Sequence, residues 1–442
     1  MSFAARLRQF VVVSGFETFG VAVAGVTGLL IVNVLPKEHY AIYTVLVACM
    51  QLMSGIADLS LGHSILPVVG ERAHDKRWVV GVCTQIFYRR WMLMGLSVAI
   101  VVPYWAYTSA QHGWHGPGYL LAGLLVLAAV LLTLRDTFMH RVLLILQHIG
   151  TLNRNSFVVN SARLLLVGAV LLVPIGSYTV AGLFAALVTA LFVSLQLNRL
   201  AFGRHGIPRS RLDPQERRDV DRQTLRIVVP LLPSAVFYHV QGVITILIVS
   251  LFGTASMMAE VGAFGRLAMV LTIVDRVTDI VLFPAIARAA AGPRLVARLL
   301  LAHAAYMLVM LALFATSLWL PDYWMLLLGA QYKSMQPLIW MVFLTSIFAN
   351  AAGFAFRTLA ARGATARQSL GIPLLIAAQL AYAAIFGVSD LKAVLGFNLA
   401  TMLVQCLYQY TLLALRLPGW RKDAVVSGAP TETADHAGDA RR

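Results

Sequence analysis

Long stretches without Asp, Glu, Lys or Arg set the pattern of this chain. They run Trp91–Leu134, Leu164–Asn198, Ile227–Ala259, Leu299–Pro321, Ser334–Phe356, Gln368–Ser389 and Ala393–Leu415. About 20 apolar residues suffice to cross a bilayer as a helix. The runs near that length read as single spans, and Trp91–Leu134 as two, turned at Ser109–Gly118. Twelve helical spans are predicted, roughly at 10–34, 40–69, 90–107, 118–140, 156–174, 179–202, 227–252, 259–284, 299–319, 335–356, 368–388 and 393–415. The expected class is an all-α polytopic membrane protein.

Composition agrees. Of 442 residues, 59% are hydrophobic and 12% charged, and the mean hydropathy is +0.78; a soluble chain carries about 25% charged residues. The net charge of +16 is explained by topology rather than by nucleic acid. One set of connections holds Arg72, Lys76, Arg77, Arg89 and Arg90, then Arg141 and Arg154, the cluster from Arg199 to Arg226, Arg288–Arg298, Arg357–Arg367 and Arg416–Lys422. The other set holds Lys37, Lys333 and Lys392. Lys and Arg accumulate in cytoplasmic loops, so both termini and the basic loops are expected in the cytoplasm, and the number of spans is even. Arg6 and Arg8 precede an apolar run that continues to Leu35 without a small-residue cleavage site, which reads as a retained first span.

The Arg199–Arg226 segment divides the spans six and six. The expected organisation is an N-terminal lobe (1–202), a basic linker (203–226) whose simplest role is a solvated, topology-setting loop, a C-terminal lobe (227–417) and a disordered tail (418–442). Two lobes entering from one side are related by a parallel pseudo-two-fold axis along the membrane normal. A trace of such a repeat exists: Asp58 precedes Pro67 by nine residues, Asp275 precedes Pro284 by nine, and Arg72 and Arg288 lie just beyond.

Ionisable groups inside spans are expensive and face protein or a wet cavity by default. Arg163 lies roughly 10 Å into its span, and Arg266 a similar distance from the opposite end of the eighth. Arg163, Arg266 and Arg276 are the candidates for lining a substrate cavity. Glu17, Asp275 and Asp279 could bind a coupling ion or simply pair with arginine; Arg276 and Asp279 stand three apart on one helix. For Arg90 and Arg135, near span ends, snorkelling suffices. Asp58 reads as an anchor of its helix end. Pro67, Pro103, Pro230, Pro233, Pro284 and Pro373 predict kinks, and Trp105, Trp114, Tyr119, Trp319, Tyr323 and Trp324 predict an interfacial belt. His112 and His115 read as solvated loop residues. Cys49, Cys83 and Cys406 suggest neither a metal site nor a disulfide framework. No nucleotide-binding loop or hydrolase motif occurs. No cofactor, metal or enzymatic activity is therefore expected. A membrane enzyme of envelope synthesis would need large polar outer loops, and those here are short.

Four segments resemble one family. "VNVLPKEHYAIYTVL" (Val32–Leu46) is similar to the first-loop pattern of polysaccharide-export flippases, with Ala41 where glycine is usual. "DLSLGHSILP" (Asp58–Pro67) resembles the Asp-(Phe or Leu)-Gly-Leu segment closing their second span, with Ser60 in the glycine place. "EVGAFGRLAMVL" (Glu260–Leu271) is similar to their entry to span eight, with Phe264 replacing tyrosine. "LLLGAQYKSMQPLIWM" (Leu326–Met341) resembles the segment before span ten, where Gly329 and Tyr332 match. The resemblance is to the Wzx-type oligosaccharide flippases of the multidrug/oligosaccharidyl-lipid/polysaccharide exporter (MOP) superfamily. It implies flipping of an undecaprenyl-diphosphate-linked glycan from the cytoplasmic to the outer leaflet of a bacterial inner membrane. It implies alternating access of two lobes, for a surface polysaccharide such as lipopolysaccharide O-antigen or exopolysaccharide. Polysaccharide polymerase and glycosyltransferases, besides membrane lipids, are the partners it implies. The alternatives are a multidrug or small-solute antiporter of the same superfamily, or a non-transporting membrane enzyme or scaffold of envelope polysaccharide synthesis.

Overall fold

In a computed structural model the described residues are 3–173, 175–269, 292–362, 364 and 367–426, with side chains described from 19 to 420. They are helical almost throughout. The helices are α1 (Phe3–Val34), α2 (Lys37–Asp58), α3 (Leu61–Val69), α4 (Lys76–Gln111), α5 (Pro117–Ile145), α6 (Ile149–Leu172), α7 (Tyr178–Arg204), α8 (Pro214–Gln241) and α9 (Ile244–Phe252). They continue with α10 (255–269), α11 (Pro293–Trp319), α12 (Pro321–Leu328), α13 (Ile339–Ala361), α14 (Gly371–Phe386) and α15 (Leu391–Val426). Among the described residues nine helices are long and apolar enough to cross a membrane, or ten with α8 and α9 as one span bent by 53°. The remaining expected spans, 10–34 and 259–284, fall on α1 and α10, which include or run into residues not fully described.

Helices α1–α7 pack into one lobe, chiefly α5 on α7, α6 on α7, α2 on α4 and α1 on α6. Helices α11, α13, α14 and α15 pack into the other. Between them, α8 lies on α2, α3 and α4, and α9 is tied to α15 by the Thr245–Asn398 hydrogen bond of 2.6 Å.

The break between α2 and α3 has a local cause. Leu59 and Ser60 both take left-handed backbone, φ 31° and 67°. An L residue pays roughly 1–2 kcal/mol for that. Ser60 is where the resembled family carries glycine, the residue that tolerates this conformation. Ser60→Gly is expected to stabilise the protein by about 0.5–1 kcal/mol, after the larger unfolded-state entropy of glycine, measured as thermal unfolding in detergent. Immediately before the break, Asp58 pairs with Arg90. Arg90 is only 5% exposed, so it does not snorkel as its position in sequence suggests: its partner is a carboxylate on a neighbouring helix.

The linker is not a plain loop. Pro214 opens α8, and the Glu216 carboxylate accepts from the Asp213 amide at 3.3 Å, half of a capping box. Residues 214–226 therefore continue into the seventh span. Asp221 fixes them to α4, accepting from Gln85 (2.8 Å) and Arg89 (2.9 Å). Helix α15 likewise continues through Pro418 to Val426, so the first part of the expected tail is helical.

The extended part, 205–213, is held by histidine stacking: His205 lies on His148 with centroids 3.8 Å apart. Lys76 donates to the His205 carbonyl at 2.7 Å, and the Thr151 hydroxyl stands 3.1 Å from His205 Nε2. Burial, then the charges of His205 and Lys76, holds the His148 pKa below the ordinary imidazole value. A depressed folded pKa favours the neutral stack, whose stability is present above an ordinary imidazole pKa of about 6.5 and lost as pH falls through and below it. Hydrogen exchange of 205–213, corrected for intrinsic rate, should accelerate between pH 7 and 5.5, and this pH dependence should flatten in His148→Gln.

Candidate functional site

Three of the four landmark segments meet at one seam between the lobes, at the end of the molecule away from the arginine-rich connections. Lys37, at the start of α2, pairs with Glu260 of α10 at 3.0 Å. Gln331 donates to the carbonyls of Val32 and Leu35, each at 3.0 Å. Tyr40 meets Tyr332 edge-on at 6.4 Å, and both are fully buried. Gly329 has φ 95°, which favours glycine, and a Cβ there would stand 3.2 Å from the Asn33 amide. A second side chain cluster flanks the seam. His112 Nε2 lies 2.9 Å from the Ser250 carbonyl, and Gln111 donates to the Leu251 carbonyl at 3.1 Å. His112 is thus a contact between α4 and α9, not a solvated loop residue. Trp114, predicted for the interfacial belt, is buried and stacked on Trp105 at 5.9 Å. Gly262 of α10 faces Thr44 of α2: a Cβ on Gly262 would stand 3.0 Å from Thr44 Cβ and closer still to its hydroxyl and methyl.

Arg266 lies one turn of α10 further in. Its guanidinium sits over the Tyr43 ring at 5.9 Å, its Nη1 stands 3.5 Å from Met269 Sδ, and its stem lies against Gly28 of α1. Arg163 is on α6, also beside α1. Phe19 stacks on Phe157 at 4.8 Å, and Gly20 faces the Asn160 amide; Arg163 follows one turn later. Helices α1 and α6 start from the same end. With 1.5 Å of rise per residue, Arg163 and Arg266 lie about 8 Å apart along the α1 axis. Arg163 is partly buried, and its Nε is enclosed without a hydrogen-bond partner among the described residues. No carboxylate forms an ion pair with either arginine among the described residues. Arg276, Asp275 and Asp279 lie outside the described residues, as does the side chain of Glu17 on α1.

The described acids within the spans are engaged elsewhere. Asp58 pairs with Arg90. Asp136 of α5 accepts from Ser194 (2.8 Å) and Asn198 (2.9 Å) of α7, and the Asn198 side-chain Oδ1 accepts from Asn155 Nδ2 of α6 at 3.0 Å. A carboxylate held by amides and a hydroxyl can exchange a proton or take a monovalent cation. Its signal in the sequence is the recurrence of Asn155, Ser194 and Asn198 inside apolar spans. Among the described residues no group of three His, Cys, Asp or Glu side chains could hold a metal ion.

The chain superposes on transporters of the MOP superfamily over nearly its whole length. It is similar to an inward-facing multidrug-resistance MATE transporter of that superfamily, with a TM-score of 0.69 at 14% identity, covering 93% of this chain and 96% of the other. It is also similar to a MOP superfamily transporter from Pyrococcus furiosus whose reversed pocket polarity suggests a different function, with a TM-score of 0.56 at 14% identity over 93% and 96%. A eukaryotic MATE transporter matches with a TM-score of 0.55 at 12% identity over 96% and 98%. No family model and no curated protein matches the sequence.

Proposed function

We propose that this chain is a lipid-linked oligosaccharide flippase. It moves an undecaprenyl-diphosphate-linked glycan from the leaflet at its arginine-rich end, taken as cytoplasmic, to the opposite leaflet. The observation that carries this reading is the pair Arg163 and Arg266, two guanidinium groups beside α1 without a carboxylate partner among the described residues. A half-buried cation without a counter-ion still bears part of the desolvation cost, and a diphosphate supplies that counter-ion through charge-assisted, bidentate hydrogen bonds. A multidrug antiporter for cationic drugs needs the opposite, a carboxylate open to the cavity. Among the described residues, the span carboxylates Asp58 and Asp136 are both occupied within the first lobe. Arg276 joins the same cavity in this proposal, and Asp136, Glu17, Asp275 and Asp279 are the candidates for ion coupling. The lobes, 1–202 and 227–417, rock about the seam at Lys37–Glu260, which opens when the arginine-rich end closes. The test is transfer of a lipid-linked glycan across vesicles containing the purified protein. Glycan transfer supports the flippase; extrusion of cationic dyes without glycan transfer supports the antiporter.

A further inference from the structure

We propose that the pocket walled by α4, α5, α7 and the interlobe linker binds the headgroup of an anionic glycerophospholipid from the leaflet at the arginine-rich end, and thereby clasps the linker to the first lobe. The pocket has a volume of about 960 Å³ and lies away from the seam and from Arg163 and Arg266. Four arginines line it: Arg135 of α5, Arg199 at the end of α7, and Arg209 and Arg211 of the linker. No Asp or Glu is among its lining residues, and none of the four forms an ion pair among the described residues. All four are exposed, and apart from the Arg199 Nη1 bond to Gln196 Oε1 at 3.4 Å their N–H groups face the side from which a ligand would enter. Basic pockets between transmembrane helices at this depth suit anionic headgroups, whose phosphate takes several charge-assisted hydrogen bonds.

The other half of the pocket selects a lipid over a free anion. Phe87, Trp91 and Phe138 form an aromatic wall. Tyr88, at the mouth, begins a column of exposed apolar side chains one turn apart up α4: Tyr88, Met92, Leu96 and Ile100. Residues four apart share a helix face, so this column leads from the cationic pocket into the hydrocarbon region as a track for an acyl chain. A headgroup at one end and an apolar track at the other fit an amphiphile lying along α4. The linker enters because Ile207, Pro208, Arg209, Ser210 and Arg211 form one wall. A phosphate bridging Arg209 or Arg211 to Arg135 and Arg199 joins the segment between the lobes to the bundle it crosses. This inference is independent of the transported substrate.

The linker carries its own probe, because trypsin cleaves after Arg209 and Arg211. The full chain is placed in nanodiscs of phosphatidylcholine, with or without phosphatidylglycerol, and cleavage at these sites is followed. Phosphatidylglycerol should slow cleavage at least tenfold. Millimolar inorganic phosphate should not. The double variant Arg135→Gln/Arg199→Gln, which keeps both cleavage sites, should lose the protection, while Arg294→Gln/Arg298→Gln on α11 should keep it. Elution as a single species by gel filtration checks that each variant is folded, and phosphatidylglycerol retention in native mass spectra gives a second readout. Equal protection and retention in Arg135→Gln/Arg199→Gln would overturn the proposal. So would protection by phosphate alone, which makes the site one for a soluble anion. Protection by undecaprenyl diphosphate but not by phosphatidylglycerol would also overturn it, by assigning the pocket to the transported lipid.

Discussion

Glutamine in place of Arg163 or Arg266 should slow translocation of a diphosphate-linked glycan lipid at least tenfold, while the protein still inserts and accumulates in the membrane. A hydrogen bond to a charged group contributes about 1.5–3 kcal/mol, and each 1.4 kcal/mol is about a factor of ten. Loss of one guanidinium from a diphosphate site therefore costs between one and two orders of magnitude. Insertion is spared because the topological signal resides in the arginines of the connections, not in these two. The lysine variants sharpen the test. Lysine keeps the charge but loses the planar fork, so Arg163→Lys and Arg266→Lys should retain part of the rate if charge is what the site supplies. Arg266 also stacks on Tyr43, so a lysine there gives up a packing contact as well, and the larger deficit is expected at that position. Initial rates of glycan transfer in vesicles, with membrane levels measured in parallel, decide the matter. Wild-type rates in both glutamine variants would remove the cavity assignment.

The spans were legible because twenty uncharged residues admit little else, and the all-helical class followed. What the residues do between spans was less so. Asp213-Pro214 followed by Glu216 is a helix-start signal written in the sequence, but the arginines around it read as a solvated loop. Arg90 illustrates the limit of arguing from depth alone. Its place near a span end suggested snorkelling, and only packing brings it to Asp58, 32 residues earlier on another helix. The landmark segments were visible one by one. Their convergence was not, since Val32 and Gln331, or Lys37 and Glu260, lie more than 200 residues apart, and no local pattern encodes which segments meet. The arginine-lined pocket escaped for the same reason: Arg135 and Arg211 were assigned to a span end and to a loop, and the chain joins them only through the fold.

A disulfide between Thr44→Cys and Gly262→Cys should stop translocation outright under oxidising conditions and release it on reduction. Small residues let transmembrane helices approach closely, and Gly262 does so here: a Cβ at this position would stand 3.0 Å from Thr44 Cβ. Disulfides want about 3.5–4.5 Å between Cβ atoms, so a slide of a few tenths of an ångström admits the bond, and replacing Thr44 removes the hydroxyl and methyl that would crowd it. The native cysteines Cys49, Cys83 and Cys406 are buried and unpaired, which keeps the background of oxidation low. The bond would join α2 of the first lobe to α10 across the seam, beside Lys37–Glu260 and directly outside Arg266. If substrate leaves by that seam, a covalent tie there holds the protein with its exit shut. The reduced double variant is its own control, because it carries the same changes in side-chain volume without the bond. Translocation at equal rates in the oxidised and reduced forms, with the cross-link confirmed by mass spectrometry, would show that the seam stays closed throughout transport and that the path lies elsewhere.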